Sequence, residues 1–177
     1  LRSFVAAMGY VPHRFSDPIC TFWATVTHRA LWRYRIRMEE NIALAAGTRF
    51  VTRAERKDLV WRAWKNFARG VLETAAAVHY PKEKITRMVR LEGEEHLQQA
   101  LRGGKGVLAL SAHLGNFTLI GARLAAAGYP FSVVVKHPGD KRFAQLITRF
   151  RAKMGIETIP AKPRREAVRC ILKALRA

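Results

Sequence analysis

The segment of this chain best suited to chemistry contains a histidine with a glycine and an asparagine close after it. His113 comes shortly after an apolar run, Val107–Leu110, and Gly115 and Asn116 follow it at once. The apolar run predicts a strand, and the residues from Asn116 to about Gly128 predict a helix. This would place an imidazole at the carboxyl end of a strand, beside the free N–H groups of a helix N-terminus. A neutral imidazole can act there as a general base near pH 7.

The elements that must position this segment alternate between helix and strand. A helix over Glu94–Leu101 and a turn at residues 103–106 precede the apolar run. After the helix that follows His113, the pattern predicts a strand, a helix with one apolar face and a further strand, at Phe131–Val135, 143–154 and Ile156–Ile159. Such alternation is typical of an α/β fold with a mostly parallel sheet. The helix that Pro163 opens has no cap or following strand, so we expect the C-terminal part of the fold to be missing.

The first half of the chain predicts helices. Thr52 and Glu55 fit a capping box, and an apolar stripe follows it until Pro81 ends the helix; its members are Val60, Trp64, Phe67, Val71, Ala75 and Val78. Trp61 and Trp64 are interpreted as core residues. We therefore expect one domain over residues 1–177, with a helical, membrane-facing part at 1–90 and an α/β core at 91–177.

Aromatic and arginine side chains are mixed near the N-terminus, and two interpretations of them stay open. The aromatic residues are Phe22, Trp23, Trp32 and Tyr34, and the arginines are Arg29, Arg33, Arg35 and Arg37. Such a mixture suits the surface of an anionic bilayer. It equally suits a core helix with a basic outer face.

The charge of the chain indicates acidic partners. Lys and Arg number 32 against 13 Asp and Glu, which gives a net charge of +19. Nucleic acid, anionic lipid and an acidic carrier protein all fit such a balance. No nucleic-acid-binding motif is present, so nucleic acid is not expected as a partner.

Cys20 and Cys170 lack metal-binding spacing and are interpreted as structural thiols. We expect no metal and no organic cofactor.

The sequence around His113 resembles the lysophospholipid acyltransferase superfamily, and within it the bacterial lipid A biosynthesis acyltransferases. The segment GGKGVLALSAHLGNFTLIG is similar to the family's strand followed by His-x-Gly-Asn-aromatic-Glu. The flanking segments LEGEEHLQQALRGGKG and VVVKHPGDKRFAQLITRFRAKMGIETIP are also similar to family segments. In the first half, RIRMEENIALA and AWKNFARGVLETA extend the resemblance over most of the chain.

The resemblance implies a catalytic role for His113 as the base, with an acid five residues later that orients the imidazole. Thr118 stands at the place of that acid, and the stretch from Leu114 to Gly139 contains no Asp or Glu. Threonine accepts a hydrogen bond but carries no charge. Loss of the orienting charge costs roughly 10⁴ in rate in serine-protease triads, so the sequence leaves open a weak enzyme, an acid supplied from elsewhere, or a catalytically inactive relative.

The remaining site residues follow from the same resemblance. Backbone N–H groups near Gly115 and Asn116 would face the oxyanion, and Lys136, Arg149 and Arg151 would contact an acidic headgroup or the acyl carbonyl. The implied activity is a membrane-associated O-acyltransferase on the cytoplasmic face of the bacterial inner membrane. Its donor would be acyl-carrier protein or acyl-CoA, and its acceptor a hydroxyl of a lipid A precursor or related glycolipid. The alternatives are an impaired relative or a basic protein that binds lipid or nucleic acid.

Overall fold

The computed structural model describes residues 13–46 and 52–176, which form helices and one small sheet. In chain order the elements are α1 His13–Ala30, α2 Trp32–Ala46, α3 Arg53–Ala77, α4 Lys82–Met88, α5 Glu94–Leu101, α6 Thr118–Ala126, β1 Phe131–Val135, α7 Lys141–Lys153, β2 Ile156–Pro160 and α8 Arg164–Arg176. The expected fold class, α/β with a helical N-terminal part, is confirmed. The start of the predicted helical part, residues 1–12, lies outside the described residues. Contacts divide the chain into two compact units, residues 1–76 and 77–177.

In the first unit, α1 packs against α3 through small and apolar side chains. The buried residues are Cys20, Ala24, Val60, Trp64, Ala68, Leu72, Ala75 and Ala76. The indole Nε1 of Trp64 donates to the Thr27 hydroxyl at 3.0 Å, and the Cys20 thiol lies 3.7 Å from the Lys65 carbonyl oxygen. Burial raises the pKa of the Cys20 thiol. The core interpretation of Trp64 is confirmed, and both cysteines are free.

The start of α3 is the predicted capping box. The Thr52 N–H donates to the Glu55 carboxylate at 2.6 Å, and the Glu55 N–H donates to the Thr52 hydroxyl at 3.2 Å. Hydrogen bonding of the Glu55 carboxylate to Thr52, first through the Thr52 N–H and then through its side chain, lowers the pKa of this carboxyl. Two N–H groups that the helix itself leaves unpaired are thereby satisfied, which fixes where α3 begins.

The apolar stripe predicted for α3 is wrong at two positions. Phe67 is 71% exposed and Val71 is 44% exposed. The buried side follows an i, i+4 row that Ala68 and Leu72 continue. Four residues make slightly more than one full turn of a helix. A row of residues four apart therefore winds around the helix and leaves the i, i+3, i+7 positions. The helix also ends at Ala77, before the expected boundary at Pro81.

The aromatic residues of α1 and α2 are largely on the surface. Phe22 is 70% exposed, and Trp32 and Tyr34 are more than half exposed. This exposure disfavours the interpretation of these side chains as core residues. In the described ranges, 13–46 and 52–176, no helix is both long enough and apolar enough to span a bilayer.

In the second unit, helices cover a two-stranded parallel sheet. β1 pairs with β2 in the register that sets Phe131 beside Ile156. The core comprises Ala77, Val78, Ile85, Ala122, Met154 and Ile156. A Cβ at Gly121 would lie 2.7 Å from the Phe131 ring and 3.0 Å from Ile156, so α6 approaches the sheet at a residue without a side chain. The last two predicted strands and their parallel pairing are confirmed.

The strand expected at Val107–Leu110 is wrong. These residues are irregular in the structure, and Leu110 is fully exposed. The run Val107–Leu110 is continuously apolar, as in a buried strand, but a strand needs a neighbour with which to exchange backbone hydrogen bonds. Among the described residues, β1 and β2 pair only with each other. The expected helix start at Asn116 is also corrected, because α6 begins at Thr118.

Candidate functional site

A loop over residues 106–117 carries the histidine from α5 to α6. The loop begins at Gly106, whose φ is +69°. A Cβ at this position would lie 2.5 Å from the carbonyl oxygen of Leu175, in the last turn of α8. Only glycine fits this approach without displacing backbone, so the start of the loop is fixed against the C-terminal end of α8.

His113 lies exposed near the end of the loop, against an aromatic ring. Its imidazole centroid is 4.3 Å from that of the Phe117 ring, with the two planes inclined at 55°. Within the described ranges the imidazole makes no hydrogen bond or ion pair, and its ring contact is with Phe117. The sequence did not predict this contact, because residues 113–117 are not helical and their spacing alone does not bring the two rings together.

Gly115 and Asn116 form the backbone bend between His113 and α6. Gly115 has φ +55°, and no atom lies within 4 Å of the position that a Cβ would take. The bend is therefore open to a ligand on this side. The Asn116 carbonyl accepts from the Leu119 N–H at 3.1 Å, and the Phe117 carbonyl accepts from the Ile120 N–H at 3.2 Å. These bonds tighten the first turn of α6 and fix the bend to the helix.

Thr118 is the first residue of α6 and is half-buried. It lies one residue after Phe117, at the position where the resemblance expects an acid. In the part of the chain that the structure describes, no hydrogen bond joins Thr118 to His113, and no carboxylate pairs with the imidazole. The two residues are close in the chain, and the catalytic role of Thr118 stays a prediction.

The three candidate cations lie in two regions of the second unit. Lys136 is exposed directly after β1, while Arg149 is exposed and Arg151 half-buried in α7. Burial lowers the pKa of the Arg151 guanidinium. An arginine remains charged at neutral pH nonetheless. Over residues 13–46 and 52–176, no carboxylate pairs with Arg151 and no hydrogen bond joins any of the three to His113.

Arg123 anchors α6, a role that the sequence did not predict. Its Nε donates to the Val89 carbonyl oxygen at 2.9 Å, which ties α6 to the segment between α4 and α5. One terminal nitrogen of the same guanidinium is buried without a hydrogen-bond partner. Nearby, the Tyr129 hydroxyl donates to Glu94 at 2.7 Å. The sequence offers no local signal for either contact, because each joins residues more than thirty positions apart.

Comparison with known families identifies one match over nearly the whole chain. The model of the bacterial lipid A biosynthesis acyltransferases matches residues 2–177. This range includes the loop with His113 and both strands. No curated protein matches the chain.

Proposed function

Because the chain belongs to the bacterial lipid A biosynthesis acyltransferase family, we propose that it transfers a fatty acyl chain to a hydroxyl of a lipid A precursor or related glycolipid. The donor is a thioester of acyl-carrier protein or of coenzyme A. The family match over residues 2–177 carries this proposal. The reachable imidazole of His113 at the bend before α6 supports it.

In the proposed reaction His113 takes the proton of the acceptor hydroxyl as its oxygen attacks the thioester carbonyl. A tetrahedral intermediate forms, and its collapse breaks the carbon–sulfur bond. The departing thiolate then takes the proton from the imidazolium, so the enzyme returns to its starting state. General base catalysis of this kind contributes about 10²–10⁴ in rate.

The oxyanion of the intermediate requires donors that are in place before the reaction. The left-handed bend at Gly115 supports this role for the backbone N–H groups near Gly115 and Asn116, because its open side admits a carbonyl. Arg151 is the best-supported of the cations. Its half-buried guanidinium would gain a charged partner from a phosphate or from the developing oxyanion. Lys136 and Arg149 remain secondary candidates for the headgroup.

Thr118 supports a second candidate, an acyltransferase relative with impaired catalysis. An orienting carboxylate is worth about 10⁴ in rate in serine-protease triads, which equals about 5 kcal/mol of activation free energy. A cation–π contact between protonated His113 and Phe117 would supply only about 0.5–1 kcal/mol at an exposed site. The aromatic contact therefore does not replace the acid, and we expect slow transfer unless a carboxylate joins the site when substrates bind.

Membrane association at the cytoplasmic face of the inner membrane completes the proposal. The exposed aromatic residues of α1 and α2 support it, because Trp and Tyr favour the interface between lipid and water. The net charge of +19 supports an anionic surface and an acidic donor protein alike.

The experiment that tests the proposal measures transfer of a radiolabelled acyl chain by the full-length protein in membranes. Acyl-carrier protein and coenzyme A are compared as donors, each with a lipid A precursor as acceptor. Labelled glycolipid that depends on the protein supports the proposal. Consumption of the thioester by water alone, with no labelled glycolipid from several acceptors, would overturn the assignment of acceptor.

A further inference from the structure

The outward face of α8 carries cations that form no ion pair with the described residues. Its thirteen residues include five cations and one acid: Arg164, Arg165, Arg169, Lys173, Arg176 and Glu166. None of these five cations forms an ion pair within residues 13–46 and 52–176. This sets α8 apart from α3, where Arg62 pairs with Asp58 and Arg69 with Asp17.

Three of these cations lie along one side of α8. Arg169, Lys173 and Arg176 border an open depression of the surface together with Leu172. Their spacing of four and then three residues places them on one side of the helix. Like charges at i, i+3 and i, i+4 positions of a helix repel one another, so the arrangement favours a ligand that brings several negative charges.

Apolar side chains share this face of α8. Val168 is 54% exposed and Leu172 is 48% exposed, while the inward side is formed by Ala167, Ile171 and Leu175. Exposed valine and leucine would not contribute to a purely electrostatic site for a soluble anion. Cations next to apolar side chains on one helix face are typical of helices that lie at the surface of an anionic bilayer.

We propose that the outward face of α8 is a docking surface for anionic phospholipid headgroups of a bilayer. Arg169, Lys173 and Arg176 bind the phosphates, and Leu172 and Val168 enter the boundary between headgroups and acyl chains. The inference rests on the membrane association in the proposed function but not on the catalytic role of His113, so vesicle binding and acyl transfer can fail separately.

The test compares binding of the full-length protein to two kinds of vesicle. One contains only phosphatidylcholine, and the other is an equal mixture of phosphatidylcholine and phosphatidylglycerol. The triple variant Arg169→Gln, Lys173→Gln, Arg176→Gln removes the charges and keeps helix propensity, because Gln is close to Lys and Arg on that scale. The matched control is Lys82→Gln, Arg87→Gln, Lys141→Gln, which removes equal charge from exposed positions elsewhere in the second unit. Circular dichroism verifies that both variants are folded.

Each cation close to an anionic membrane contributes roughly a fivefold factor to binding. We therefore expect the α8 variant to lose roughly a hundredfold in partitioning to anionic vesicles, with the control losing only a few-fold. Leu172→Ala should weaken vesicle binding further without changing binding to inorganic phosphate. Equal losses in the α8 variant and the control would overturn the proposal, because the attraction would then be diffuse. Undiminished vesicle binding by the α8 variant, with lost binding to an acidic carrier protein, would also overturn it.

Discussion

The imidazole of His113 lies 4.3 Å from the ring of Phe117, centroid to centroid, and no carboxylate contacts it within the described part of the chain. The side chain in ring contact with the candidate base is thus aromatic. Its π-face attracts the imidazolium that forms during proton transfer, but far more weakly than a carboxylate would. Without a carboxylate among the described neighbours of His113, we expect the proposed reaction to run slowly.

Replacement of Phe117 by leucine tests the aromatic contact. The change keeps an apolar side chain but removes the π-face, so we expect a two- to fivefold drop in kcat, which corresponds to about 0.5–1 kcal/mol. Phe117→Tyr retains the ring and should stay near the parent rate. Steady-state acyl transfer by the two variants makes the comparison. A kcat for Phe117→Leu equal to that of the parent would show that the ring only fills space.

Replacement of Thr118 by glutamate tests the missing acid. A carboxylate at the first residue of α6 would orient the imidazole and stabilise its protonated form, so we expect a gain of roughly tenfold or more in acyl transfer. Thr118→Gln has the same length without the charge and should show no gain. Initial rates with one donor and one acceptor provide the measurement. Loss of activity in both variants would indicate that Thr118 itself contributes to the site.

Replacement of Gly106 by alanine tests the contact between the loop and α8. Gly104→Ala is the matched control, since Gly104 has φ +64° but open space around it. Alanine in the left-handed region costs about 1 kcal/mol at either position. At Gly106 the clash with Leu175 adds about 1–3 kcal/mol. Urea denaturation measures both free energies of unfolding, and equal values would contradict the packing described for Gly106.

The acid sensitivity of the first unit should depend on His28. This imidazole contacts Trp61 and Trp64 edge to face at centroid distances of 5.3 and 5.7 Å. Burial lowers its pKa from 6.5, and Arg35 and Arg29 lower it further against an opposing effect of Glu39.

The unfolded chain consequently binds the proton of His28 more readily than the folded chain does. Its contribution to stability is present above pH about 6.5 and is lost as the pH falls below that value. His28→Gln should flatten this part of the stability profile, whereas His96→Gln, at an exposed position of α5, should leave it unchanged. Urea midpoints at a series of pH values test this. A slope that persists in His28→Gln would assign the effect to another group.

The sequence predicts the local elements of this chain better than it predicts their partners. The hydrogen bonds between Thr52 and Glu55 are local, so their spacing of three residues predicts the capping box. The structure confirms it. The strand at Val107–Leu110 fails because its pairing depends on a distant neighbour that local pattern does not specify. Phe67 and Val71 fail for a related reason, since the position of α1 selects which row of α3 is buried.

The candidate site divides in the same way. Residue type and spacing, together with the family resemblance, predict roles for His113, Gly115 and Asn116, and these roles stay predictions. The left-handed bend at Gly115 agrees with the residue found there. The tie from Arg123 to Val89 spans 34 positions and depends on the packed structure alone. The roles of Lys136, Arg149 and Arg151 stay predictions, because no substrate defines a common point that they would reach.

The most direct test of the account is acyl transfer by full-length protein with and without His113. The assay follows radiolabelled acyl chain from donor thioester to lipid A precursor in membranes, for the parent, His113→Ala and the control His96→Ala, which removes another exposed histidine of the same unit. The account predicts that His113→Ala, while folded, loses at least about a hundredfold in rate and that the control keeps the parent rate. A His113→Ala variant that transfers acyl chains at the parent rate would contradict the proposed role of His113.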